Sequence, residues 1–169
     1  MRKNYLLFWF LLVIPLGILT GFLAPLQNNY VVLGWNDLGM HCANKDFDSI
    51  VILPPYNNFR AQAILKGDAN TWPSVVTSGL QLNYSIPGNT YSAGKTNFWD
   101  YDSVLFGVNL PENIGLTGAG LSGTMGNASD HFWVDGVPIT PYTDDNLQTE
   151  DPYQLALLEL LDDNNQLLA

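Results

Sequence analysis

The sequence predicts a mainly β, sandwich-like single domain with one short helix, preceded by an N-terminal hydrophobic helix. Three observations predict it. Charged residues make up only 13% of the chain while aromatics reach 12%, and fifteen glycines and ten prolines punctuate it; that balance suits short strands and tight turns better than a helical bundle. Two stretches alternate with the period of a strand that buries one face. In the first, Phe59, Ala61, Ala63 and Leu65 alternate with Arg60, Gln62 and Lys66, with Ile64 as the exception; in the second, Leu80, Leu82, Tyr84 and Ile86 alternate with Gln81, Asn83 and Ser85. Finally, 169 residues with 47% apolar content suffice for one hydrophobic core and argue against disorder.

Taken in order, residues 1–24 begin with Arg2 and Lys3 and then run apolar from Tyr5 to Ala24. A basic start before a long apolar body is an export signal. Two readings stay open, a cleaved signal peptide and an uncleaved membrane anchor through residues 5–24. Pro25 directly after Ala24 disfavours cleavage and so favours the anchor. Its basic end would stay cytoplasmic by the positive-inside rule. Either way the rest is expected outside the cytoplasm, whether periplasmic, on the outer surface or secreted. Residues 25–29 read as a linker and 30–169 as the folded domain.

Tyr30 to Leu33 reads as a strand leading into Gly34-Trp35-Asn36-Asp37-Leu38-Gly39-Met40-His41-Cys42, a loop, and Ile50 to Pro55 as the strand leaving it. Pro87-Gly88-Asn89 stops the strand that begins at Leu80. Thr96 to Gly107 has helix signals: Thr96 or Asn97 to cap, Asp100 in the first turn, Gly107 to close. Gly115 to Gly126 is a glycine-rich loop without the lysine of a phosphate-binding loop. Phe132–Val134 and Val137–Ile139 read as a hairpin around Asp135-Gly136. Thr143 to Asp151 is an acidic loop. Gln154 to Ala169 fits a hairpin turning at Asp162–Asn165, with a helix over Leu155–Leu161 as the alternative by propensity.

The net charge is −10. Such a surface repels phosphate backbones and excludes nucleic acid as a partner. The single cysteine, Cys42, cannot form an internal disulfide.

Chemistry concentrates in the first loop, where Asn36, Asp37, Met40, His41 and Cys42 form the candidate functional set. Met40, His41, Cys42 and His131 are the ligand types of a blue-copper site, but His41 and Cys42 are adjacent, and adjacent side chains in extended backbone point apart. Asn36, Asp37, Asp46 and Asp48 offer oxygens to a hard cation without the spacing of a calcium loop. Asp37, His41, Asp46, Asp48 and His131 are thus weak metal candidates. Cys42 with His131 and an aspartate would make a thiol hydrolase, yet no nucleophile motif surrounds it, and no catalytic residue is assigned. The plain structural alternative places Trp35 and Met40 in the core, with Asn36 and Asp37 bonding the loop backbone. Trp72, Trp99, Tyr101 and Trp133 are core residues or, if exposed, a platform for sugar or a partner. Asp37 is expected beside His41 through a helical turn, with His41 more accessible than Cys42.

The combination of Gly34 to Cys42, Ile52-Leu53-Pro54-Pro55-Tyr56-Asn57 and Asn89 to Tyr101 resembles a family of largely uncharacterised exported bacterial proteins. Members often continue into segments with c-type haem attachment motifs. The resemblance covers most of residues 30–169. It implies a non-enzymatic cell-envelope domain associated with multihaem c-type cytochrome electron transfer, partnered by such a cytochrome or another envelope protein. This chain has no C-x-x-C-H and one cysteine, so it cannot hold covalent c-type haem. The resemblance implies either a C-terminally truncated relative or a stand-alone leading domain. The alternative function is a binding or adhesion module using aromatic and glycine-rich loops; a metal-binding or Cys-dependent enzyme domain ranks below both.

Overall fold

The computed structural model describes residues 29–39, 45–48 and 53–169. The expected N-terminal hydrophobic helix over residues 1–24 lies outside them, as do Met40, His41 and Cys42. Among the described residues, no helix is long and apolar enough to cross a membrane.

Among the described residues the fold is mainly β, with two antiparallel sheets and one short helix. The first sheet contains β1 (Tyr30–Leu38), β2 (Asn57–Leu65), β3 (Ser74–Val75), β6 (Gly126–Asn127) and β7 (Phe132–Val137). Its order is β1-β2-β7-β6, with β3 also paired to β2. The second has β4 (Leu80–Ser85) between β5 (Ser122–Thr124) and β8 (Leu157–Asp162). Alternation in β2 turns Phe59, Ala61 and Ala63 inward, and alternation in β4 turns Leu82 and Tyr84 inward. They meet Phe132, Val134 and Val137 of β7 and Leu160 of β8 in one core, as expected for a sandwich-like arrangement. Burying each large apolar side chain contributes about 1.5–3 kcal/mol. The Tyr84 hydroxyl stays bonded by donating to the Gly120 carbonyl at 3.0 Å, and burial raises its pKa.

Helix α1 (Phe98–Phe106) forms where its signals lie and ends at Gly107 in the left-handed region, φ 68°. Asn97 sits at the cap position but does not cap by side chain. Its amide is occupied elsewhere, accepting from Phe47 N at 2.7 Å and donating to Asp46 at 2.8 Å. Phe98 is fully buried against Phe47, Trp99 and Phe106.

Three expectations need correction. The strand starting at Tyr30 continues through Trp35, Asn36 and Asp37 to Leu38, so half of the presumed loop is sheet. Leu53 and Pro54 lie in no strand, while Ile50 to Ile52 are outside the described residues. Asp135-Gly136 is no hairpin turn: β7 runs straight through it as a bulge, with Val134 opposite Phe59 and Val137 opposite Asn57. Gly136 takes φ 70° there, the left-handed conformation a bulge of this kind uses. At the C-terminus the hairpin reading holds over the helical one. β8 turns at Asn165, and Leu168 N returns to Leu160 O at 2.8 Å.

Candidate functional site

The densest exposed chemistry among the described residues lies on the outer face of the five-stranded sheet. Because Phe59 and Ala61 point inward, Arg60 between them points outward. The register places Trp35 of β1 opposite Arg60 on one side and Trp133 of β7 opposite it on the other. The result is a row, Trp35–Arg60–Trp133, across three strands. Both indoles are open to solvent, at 45% and 42% exposure. Trp35 is therefore not a core residue, contrary to one sequence reading. Among the described residues its strand is an edge, with its outward side chains, Val31 and Leu33 among them, exposed.

Each neighbour strand carries a bulge beside this row. On β1 the register slips between Asn36 and Leu38, at Asp37; on β7 it slips at Asp135-Gly136. Bulges re-aim side chains, and here both aim a carboxylate at the same guanidinium. Arg60 Nε lies 3.0 Å from Asp37 Oδ2, and an Arg60 terminal nitrogen lies 2.7 Å from Asp135 Oδ1. That nitrogen also donates to the carbonyls of Phe59 and Val134, at 2.9 and 3.4 Å. Asn58 closes the second bulge by accepting from Gly136 N at 3.1 Å. Trp133 is set by Gly126 on β6: a Cβ there would come within 2.7 Å of the indole. Two grooves adjoin the row. One, about 450 Å³, opens between the sheets along β1 and is lined by Val32, Trp35, Phe59, Arg60, Leu155 and Leu158. The other, about 600 Å³, is lined by Trp133, Asp135, Tyr84 and the glycine-rich segment.

The sequence contained a signal for this site. Trp-x-Asp occurs at 35–37 and again at 133–135, on two strands that both run antiparallel to β2 and hence parallel to each other. The two units are related by translation across the sheet. Only the register shows that one arginine joins them.

The other sequence candidates fall elsewhere. Asp37 is a partner of Arg60 in extended backbone, so the helical turn expected to join it to His41 does not start there. Asn36 pairs with Phe59 but is itself exposed, with its amide against Gly39. Asp46 accepts from Asn97 and from Asp48 N, and these bonds lower its pKa. Asp48 is exposed. His131 Nδ1 lies 2.7 Å from Asp130 Oδ1. Among the described residues no three His, Cys, Asp or Glu gather as metal ligands. Met40, His41 and Cys42 lie outside those residues, and the copper and thiol readings with them. Trp99 is structural, since its Nε1 donates to the Ile114 carbonyl at 3.0 Å and its ring packs on Phe98.

A second polar centre ties loops together. Lys95 is buried at 1% exposure. Its Nζ donates to Asn89 Oδ1 at 2.8 Å and Asp144 Oδ1 at 2.6 Å and lies over the Tyr91 ring. Asn89, itself buried, passes the network to the Thr140 carbonyl and Gln154. Burial pushes the Asp144 carboxyl up, but hydrogen bonds from Lys95 and Thr90 outweigh it and hold the pKa below the usual value.

No protein-family model, no curated protein and no solved structure matches the chain.

Proposed function

We propose that the chain is a non-enzymatic binding domain of the cell envelope, working through the Trp35–Arg60–Trp133 row, in association with multihaem c-type cytochrome electron transfer. The observation that carries the binding reading is the row itself. Two half-exposed tryptophans flank an arginine already oriented by two carboxylates. Exposed aromatics beside pre-oriented polar groups are what binding surfaces use. The envelope setting and the cytochrome association rest on the sequence resemblance and on the basic-then-apolar start of the chain. In this reading the domain holds an electron-transfer assembly in place, and the haem belongs to its partner.

The experiment is retention of the full chain, in mild detergent, on washed cell envelopes. Wild type should be retained and the Trp35→Ala/Trp133→Ala double variant released. Equal retention of both would remove the row from the binding role. The cytochrome association has its own check: C-x-x-C-H motifs should follow in the same or an adjacent reading frame, and their absence would remove that part.

A further inference from the structure

The geometry points to a neutral, extended polysaccharide as the ligand of the outer face, lying across the strands along Trp35, Arg60 and Trp133. This rests on the reading of that face as the binding surface. Three observations select the ligand class.

The first is translational repetition. The two Trp-x-Asp units sit on strands that run in the same direction, so they present the same groups in the same order. Their backbones are about 10 Å apart, two strand spacings. A polymer of repeating units meets the same chemistry at both positions. A second copy of this chain, docking through a two-fold axis, would meet it in opposite orientations.

The second is the pairing of functions within each unit. The indole offers an apolar plane to the C–H face of a sugar ring, and the aspartate two residues on offers acceptors to its hydroxyls. Arg60 already holds both carboxylates in position, so their remaining lone pairs are set before a ligand arrives. A purely apolar protein surface would have to strip water from this guanidinium and two carboxylates without replacing their hydrogen bonds. A sugar brings its own hydroxyls.

The third is charge. Asp37, Arg60 and Asp135 sum to −1, in a chain of net charge −10. That disfavours acidic glycans, nucleic acid and anionic lipid alike. At the Trp133 end, Gly126 on β6 brings no side chain, and a groove opens between Trp133 and the glycine-rich segment.

The test uses the full chain in mild detergent with insoluble cellulose and chitin as neutral polymers and alginate as the acidic one. Retention on at least one neutral polymer is expected, with release by soluble oligosaccharides of that polymer and not by salt. Trp35→Ala/Trp133→Ala should weaken it by about tenfold or more, while Trp35→Phe/Trp133→Phe keeps most of it. Far-ultraviolet circular dichroism on each variant establishes that the sheets persist. Tryptophan-dependent, salt-reversible binding to alginate alone would overturn the inference. So would tryptophan-dependent envelope retention with no binding to either neutral polymer, which would indicate a protein ligand, and so would tryptophan-dependent dimerisation in sedimentation. In each of these the row still binds something; only envelope retention that ignores both tryptophans would bring down the surface as well.

Discussion

Arg60 shows how much one side chain can organise on a sheet surface. Its two carboxylate partners are 40% and 32% exposed, and ion pairs this open contribute about 0–1 kcal/mol each. Asp37→Asn and Asp135→Asn should therefore each shift urea midpoints by the equivalent of about 1 kcal/mol or less, while weakening ligand retention clearly more than stability. A stability loss without a binding loss would return the trio to a structural role. Gly126→Ala tests the same surface from behind. The new methyl would sit 2.7 Å from the Trp133 indole, so the ring must move. Binding should fall while the fold survives, because that ring lies on an open face with room to yield. Gly115→Ala is the contrast. Its Cβ would collide with the carbonyl oxygen of Gly136, which is backbone and has no room to yield. A loss of about 2–4 kcal/mol in equilibrium unfolding is expected there. At this scale the sequence was only partly legible. Trp35 reads as core because large aromatics usually are, and only strand register shows which face it takes.

Among the elements, alternation and turn chemistry made β2, β4, α1 and the C-terminal hairpin visible, since each depends on neighbours a few residues away. The two bulges were not visible. Asp135-Gly136 has the composition of a tight turn, and the left-handed glycine that would make a hairpin also makes a bulge; the pairing of β7 with β2, some 75 positions away in sequence, decides between them. The same distance hid the Lys95 clamp, which joins the segment after β4 to the acidic loop at Asp144. Lys95→Met should cost about 2–4 kcal/mol, since it strips Asn89 and Asp144 of a buried partner, although Asp144 keeps Thr90 and some solvent. The Asp144 carboxyl has a lower pKa folded than unfolded. Its contribution is therefore complete above the unfolded value, about 4, and is lost as the pH falls through the lowered folded value. Stability measured from neutral pH downward should drop in that acid window. Asp144→Asn should be less stable than wild type at neutral pH and lose less on acidification. Parallel curves would show that the clamp does not depend on that charge.

For the molecule as a whole, composition and period were enough to predict two-sheet β architecture, because a chain with few charges and many turn formers has few other ways to bury such strands. The proposed binding surface was less accessible, because it is assembled from β1, β2 and β7 and no local pattern announces that they are neighbours. The residues that looked most chemical, His41 and Cys42, lie outside the described part, while the Trp35–Arg60–Trp133 row is drawn from residues far apart in the sequence. One contact between the sheets bears on how such a surface would behave under strain. Gly34, next to Trp35 in β1, has no side chain, and Leu158 of β8 fills the space, its Cδ1 2.5 Å from where a Cβ would stand. The edge strand that carries one tryptophan is thereby latched to the opposite sheet. If the row binds as proposed, a pull on a ligand at Trp35 would be passed through Leu158 to the second layer, and Leu158→Ala should make β1 easier to detach in hydrogen exchange.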